Sequence, residues 1–361
     1  MGKKTKQTNK QNKPKKTSDN NEIITKEPLC PLYIKPKYPK VSICTPTFNR
    51  RPFWPYIIKC FENQTYPKDK LEWIIIDDGT DKIEDLVSHI PQVKYYKFDN
   101  KMTLGKKRNL MHDKSSGDFI VYMDDDDYYP PERVSHAIET LQKNPNALCS
   151  GSSEMYIYFK HVKKVYQFGP YKDTHATAAT FAFRRELLQQ CRYDEEAAVA
   201  EEKSFLKNYT IPFVQLNPLK TILVFSHIHN SFDKKELLKN KDHDKFINDT
   251  AKTVDDFVKE PDLKKFYMED VDGYLQLYEP GKPEHKPDVV KQLIELKEKR
   301  EKMMAEEQQR MMQMQQMQNN QNTVIQQLSM ENSILKEKIA YLEDKISKLI
   351  SEKIAVLKSN Q

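Results

Sequence analysis

Three short apolar runs, each closed by a cluster of polar residues, constrain this chain more than any other feature. Val41-Ser-Ile-Cys-Thr45 stops at Pro46 and opens into Thr47-Phe48-Asn49-Arg50. Leu71-Glu-Trp-Ile-Ile-Ile76 stops at Asp77-Asp78-Gly79-Thr80. Phe119-Ile-Val-Tyr-Met123 stops at four consecutive aspartates, Asp124 to Asp127. Runs that are apolar throughout, rather than alternating, are what strands buried on both faces of a parallel sheet require. Helical stretches are predicted between them, near 53–63, 82–88, 104–113 and from Pro130 to about Leu141, with a further strand at Val93–Phe98. Strands separated by helices of about ten residues imply a doubly wound α/β sheet. Ligands of such sheets sit beyond the carboxyl ends of the strands, where the strand order reverses. All three polar clusters fall at such ends, which implies one site.

Farther along, Met155–Lys160 and Lys163–Phe168 read as a hairpin. Thr180–Phe183 and Thr221–Phe225 read as short strands, Ala197–Lys207 as a helix, and 232–270 as polar helical stretches. The net charge of +6 is concentrated at the start: residues 1–28 hold eight lysines and three acids. A tail so poor in apolar residues cannot bury surface to offset chain entropy, so disorder is predicted there and a nucleic-acid partner is not. The five cysteines are odd in number and scattered, without a CxxC pair, which argues against a disulfide framework or a zinc site. No apolar run approaches the length needed to cross a bilayer, and the N-terminus has no signal-peptide core, so a cytoplasmic location is expected.

The last part of the chain follows another pattern. Residues 288–361 contain no Gly or Pro, and a Met/Gln-rich stretch gives way to heptads with Leu328, Leu335, Leu342 and Leu349 at d and Ile325, Asn332, Ile339 and Ile346 at a. β-Branched a residues, Leu at d and one buried Asn specify a parallel two-stranded coiled coil. Glu331 would then meet Lys336 of a second copy, and Lys338 would meet Glu343, both attractive. The expected organisation is a Lys-rich tail over 1–37, a catalytic domain over 38–235, its helical extension over 236–285, a helical linker over 286–322 and a dimeric coiled coil over 323–361.

Four adjacent carboxylates repel one another and call for a cation. Hard divalent ions take carboxylate, phosphate and water oxygens, so a strand-end Asp-x-Asp can hold a metal that clamps a diphosphate and stabilises a leaving nucleotide.

Taken together, Val41–Arg50, Trp73–Thr80, Leu104-Gly-Lys-Lys-Arg-Asn109 and Ser116–Asp127 resemble, in order, four motifs of the family 2 glycosyltransferases. The resemblance is good over 41–135 and weaker to about 235. It implies a GT-A fold, a doubly wound mixed sheet with flanking helices, and inverting transfer from a nucleoside-diphosphate sugar, UDP-linked first, with Mn²⁺ or Mg²⁺. On the donor side it implies Thr45, Pro46, Thr47 and Asn49 at the nucleotide, and Asp77 or Asp78 at the base. Lys106 and Arg108 would meet the base or diphosphate, Asp124 the ribose and, with Asp126 as the principal ligand, the metal, with Asp125 and Asp127 in support. The family's catalytic acidic pair is matched at Glu201-Glu202, with Glu202 the first candidate base and Glu201 the second. A late histidine reaching the metal or diphosphate is matched at His227, with His229 as the alternative. The acceptor is left open: a glycan, a protein or a small molecule. Two other readings are a sugar nucleotidylyltransferase, disfavoured because Thr45–Arg50 lacks the Gly-rich loop, and a coiled-coil scaffold carrying a degenerate transferase domain.

Overall fold

The computed structural model describes residues 37–241 and 244–359; the expected Lys-rich tail lies outside the described residues, Lys37 excepted. Strands β1 (Val41–Thr47), β2 (Leu71–Asp77), β3 (Val93–Lys97) and β4 (Phe119–Tyr122) alternate with helices α1 (Trp54–Glu62), α2 (Glu84–Val87), α3 (Leu104–Lys114) and α4 (Arg133–Lys143). The first four strands are mutually parallel, with β1 between β2 and β4. The remaining strands are β5 (Cys149–Gly151), β6 (Met155–Phe159), β7 (Lys164–Phe168), β8 (Ala182–Arg184), β9 (Phe213–Gln215), β10 (Val224–Ser226) and β11 (Ile247–Asp249). The main sheet runs β3-β2-β1-β4-β8-β5-β9, and β8 enters antiparallel to β4, so the GT-A-like sheet is mixed. A second sheet runs β10-β6-β7-β11 around the predicted hairpin.

The uninterrupted apolar runs are explained by a core on each face of the main sheet. Val41, Ile43, Trp73, Ile75, Phe119 and Val121 pack with Trp54, Ile57 and Phe61 of α1 and Val134, Ile138 and Leu141 of α4. Their neighbours Cys44, Ile74, Ile76, Ile120 and Tyr122 face the other way, onto Met111 of α3, Phe181 and Phe205. Successive side chains of a strand alternate between faces, so both sets must be apolar.

The order β3-β2-β1-β4 reverses direction between β1 and β4, and a crevice opens at such a switch point. The backbone after β1 and after β4 lines it.

Three expectations are corrected. The helix over Ala197–Lys207 is only one turn, α5 (Glu202–Phe205), because Ala200 adopts φ of 55° and breaks the run. The strand expected at Thr221–Phe225 falls at Val224–Ser226, after a 3₁₀ turn at Pro218–Lys220. The segment 236–285 is not purely helical. It supplies β11, which pairs with β7, and then the short helices α6 (Val254–Phe257), α7 (Pro261–Lys265) and α8 (Val271–Gln276), whose Phe257, Leu263 and Val271 join the main core.

Last comes α9 (Pro287–Ser359), a single helix of 73 residues, about 110 Å long at 1.5 Å per residue. It runs through both the expected linker and the heptad region. The heptad side chains lie open to solvent in the single chain, Leu328 at 58% and Leu342 at 54%. Among the described residues no helix is long and apolar enough to cross a membrane.

Candidate active site

Each strand-end cluster is held by its own local chemistry. Thr45 is fully buried: its hydroxyl donates to the Met123 carbonyl at 2.6 Å and accepts from the Trp73 indole at 2.9 Å, tying β1 to the exit of β4 and to β2. Thr47 accepts from the Trp54 indole at 3.2 Å. Asn49, at φ of 52°, joins loops: its carbonyl oxygen accepts from the Asp81 amide and its amide donates to the Pro280 carbonyl. Asp77 caps the turn after β2, accepting from the amides of Gly79 and Ile83 and from the Tyr95 hydroxyl at 2.6 Å. Asp78 is also satisfied, by the Met102 amide at 2.6 Å and the Lys107 ammonium at 2.7 Å. Of these five residues none lines the crevice. Pro46, by contrast, does.

The crevice is a cavity of about 310 Å³ whose polar lining includes Arg50, Lys107, Arg108, Asp124, Asp125, Asp126 and Glu201. On α3, Thr103 caps the helix by accepting from the Lys106 amide, which sets the helix phase. That phase turns Lys106 to solvent and buries Lys107 and Arg108, so Lys107 takes the place expected of Lys106. The signal was in the sequence, since Leu104, Lys107, Arg108 and Met111 share one helical face. Arg108 is 2% exposed and bridges two carboxylates. Its Nε donates to Glu201 Oε1 at 2.8 Å, Nη1 lies 3.6 Å from Asp124 Oδ1, and its guanidinium stacks 4.4 Å from the Tyr122 ring. The start of α3 presses against the loop before α5: Gly105 donates to the Ala197 carbonyl, and a Cβ at Gly105 would stand 1.9 Å from the Asp194 carbonyl oxygen.

That loop decides between the two glutamates. Glu201 is buried and faces the cavity, whereas Glu202, the first candidate, is the first residue of α5 and is not among the lining residues. Burial, then the neighbouring Glu201, pushes the Glu202 carboxyl up to about 7.

Arg50, flagged in the sequence only as part of a motif, proves to be the brace of the aspartates. It is 3% exposed and donates to the carbonyls of His229 and Gly281, with Asp126 Oδ2 at 3.6 Å and Asp125 Oδ1 at 3.9 Å. Burial and then Asp126 push the Asp125 carboxyl up to about 7. Burial opposes ionisation at Asp126 too, but the His227 hydrogen bond and Arg50 outweigh it and hold that carboxyl well below the usual range. Asp127 turns away and accepts from the Phe225 amide.

His227 faces Asp126, Nε2 to Oδ2 at 3.3 Å, and its Nδ1 accepts from the His229 amide at 3.2 Å. Burial brings its pKa down to about 3, so the ring is neutral. Nε2 also lies 2.8 Å from the Asn230 side-chain nitrogen. His229 does not share that face, because β10 ends at Ser226 and the strand alternation stops with it. Its ring instead lies 6.4 Å from that of Tyr278.

The residues fit a hard cation in one respect that the protein itself leaves unfinished. Asp124 Oδ1 and Asp125 Oδ2 are buried carboxylate oxygens without a hydrogen-bond partner among the described residues, a costly state that a divalent ion would relieve. Among the same residues no group of three His, Cys, Asp or Glu side chains suffices to hold a metal, so further ligands would have to come from substrate or water.

Residues 42–192 match the model of the family described as glycosyl transferase family 2. This stretch is a family 2 glycosyltransferase domain. The domain is 34% identical over 114 residues to a GalNAc(5)-diNAcBac-PP-undecaprenol beta-1,3-glucosyltransferase of Campylobacter jejuni, covering 30% of this chain and 35% of that protein. It is 27% identical over 118 residues to the Staphylococcus aureus poly(ribitol-phosphate) beta-N-acetylglucosaminyltransferase TarS, covering 29% and 19%. The chain thus spans about a third or less of the length of these two curated relatives. Among solved structures, the Pyrobaculum calidifontis mannosyltransferase PcManGT in complex with GDP-Man and Mn²⁺ is 17% identical, covering 51% of this chain and 56% of that one, with a TM-score of 0.42.

Proposed function

We propose that the domain transfers a sugar from a nucleoside-diphosphate sugar to an acceptor hydroxyl with inversion at the anomeric carbon. The observation that carries this reading is a single cavity at the β1/β4 switch point that joins orphaned carboxylate oxygens of Asp124 and Asp125, buried cations, and the carboxylate of Glu201. Asp126, with Asp124, would hold Mn²⁺ or Mg²⁺ together with donor and water oxygens, and the ion, when bound, would neutralise the diphosphate as it leaves. His227 keeps Asp126 oriented, and Arg50 braces the run. Glu201, positioned by Arg108, takes the proton of the acceptor hydroxyl as its oxygen bonds to the anomeric carbon. The bond from that carbon to the diphosphate oxygen breaks, and the nucleoside diphosphate leaves with the electron pair. UDP is the first donor nucleotide to test, and the acceptor class is open. The exposed heptads of α9 support a parallel homodimer.

The test is to incubate the chain with UDP- and GDP-sugars and Mn²⁺ and to follow release of nucleoside diphosphate, with and without chelator. Turnover should depend on the metal, and Asp126→Ala should lower it about 100-fold or more. Equal turnover by wild type and Asp126→Ala would remove the metal site from this reading.

A further inference from the structure

The cavity has a wall that comes from outside the matched family domain. Lys286 and the first turn of α9 close it, and they are tied to the loops on either side. Arg50 and Asn49 donate to the carbonyls of Gly281 and Pro280. Lys101 pairs with Asp288 at 2.5 Å. Gln292 accepts from the Ala198 amide at 2.8 Å and donates to the Glu196 carbonyl at 2.7 Å, gripping the loop that presents Glu201. The segment is therefore built into the site.

Its lysine is set apart from the other cations there. Three ammonium groups gather around the Phe48 ring: Lys101 at 5.4 Å, Lys107 at 5.8 Å and Lys286 at 5.9 Å. Lys101 has Asp288 and Lys107 has Asp78. Lys286 has neither: among the described residues its hydrogen bond is to the Ser231 hydroxyl at 3.2 Å, and it makes no ion pair there. An ammonium drawn out of water beside other cations is costly unless an anion compensates it. A second buried donor points the same way. The Nη1 of Arg108, a residue that lines the same cavity, is buried without a hydrogen-bond acceptor among the described residues, the Asp124 carboxylate standing off at 3.6 Å. These donors, with the orphaned carboxylate oxygens beside them, suit a ligand that brings anionic oxygens together with a cation.

We propose that Lys286 is a phosphate-binding residue of the donor site, contributed by the C-terminal segment to the diphosphate of the nucleotide sugar. This rests on the transferase reading above and adds that the site is incomplete without the start of α9. A primary ammonium suits this role because its three donors form a point charge that can follow phosphate oxygens as they move.

The experiment is titration calorimetry on the full chain with Mn²⁺, using UDP and GDP against uridine and guanosine. Wild type should bind a diphosphate more tightly than its nucleoside. Lys286→Met should weaken the diphosphate about 10-fold or more and leave the nucleoside unchanged, as expected for loss of a charged hydrogen bond. Lys286→Arg should restore most of the difference. Unchanged nucleoside affinity also reports that the variant is folded. If Lys286→Met keeps wild-type diphosphate affinity, or weakens nucleoside and diphosphate alike, the assignment is wrong while the transferase reading stands. If wild type binds neither diphosphate, both fall together.

Discussion

Arg108 donates to Glu201 on one side and faces Asp124 on the other, so one side chain fixes the distance between the proposed donor-binding and proton-accepting groups. A guanidinium is planar and stays charged, which suits it to hold two carboxylates in a fixed relation. Glu201 and Glu202 are adjacent and chemically identical, yet only one faces the cavity. Glu201→Gln keeps size and polarity but removes the proton acceptor, so it should lower kcat about 100-fold or more with little change in donor affinity. Glu202→Gln, whose side chain lies outside the cavity, should keep kcat within about threefold of wild type, since it removes no group that faces the reacting atoms. Steady-state kinetics on the two variants decides it, and the reverse ranking would return the base to Glu202.

Among the elements, the end of the sheet opposite the site is held by a buried carboxylate. Glu72, near the start of β2, accepts from the Ser42 hydroxyl of β1 at 2.6 Å, from the amides of Ser116 and Gly117 before β4, and from Lys94 of β3 at 2.7 Å. It therefore ties four parallel strands together at one end while the aspartates work at the other. Burial opposes its ionisation, but Lys94, Ser42 and Ser116 outweigh that and hold the carboxyl well below the usual range. A folded pKa below the unfolded one gives stability that is fully present above the unfolded value, near 4.3, and is lost as pH falls through the folded value. Glu72→Gln should therefore cost about 2 kcal/mol at pH 7, and the gap from wild type should narrow below about pH 4. Denaturant titrations at pH 7, 5 and 3.5 measure it, and a gap that widened toward low pH would contradict the assignment. The same elements show what was legible. The runs β1, β2 and β4 and their polar ends, the aspartates among them, could be read because a two-sided buried strand leaves a local mark, whereas Arg108 came only with the family resemblance. Thr45, Asp77 and Asp78 have the expected residue types but are occupied in joining elements. Arg50 and Lys286 act across the fold, and no local pattern announces that 281 and 229 will meet 50.

For the whole molecule, the long helix has two ends with different work. Its start, through Gln292, grips the loop before Glu201, and its far half presents Leu328, Leu335, Leu342 and Leu349 in a stripe that the single chain leaves open. An unpartnered stripe with β-branched residues and one Asn at a, and complementary charges at g and e, is what a parallel pair of helices buries. The first expectation placed a linker over 286–322, but α9 begins inside the cavity wall, so cutting the chain at 285 or at 300 should give different results. A chain ending at Arg300 keeps Lys286, Asp288 and Gln292 and loses the heptads; it should sediment as a monomer and bind nucleoside diphosphate as the full chain does. A chain ending at His285 should also be monomeric, but its diphosphate affinity should fall about 10-fold or more as the ammonium and the grip of Gln292 go together. Sedimentation velocity and the calorimetric titration, run on both truncations and the full chain, separate assembly from the site. A dimer that survived the cut at 300 would move the interface off the heptads. Equal diphosphate affinity in the two truncations would separate the start of α9 from the donor site.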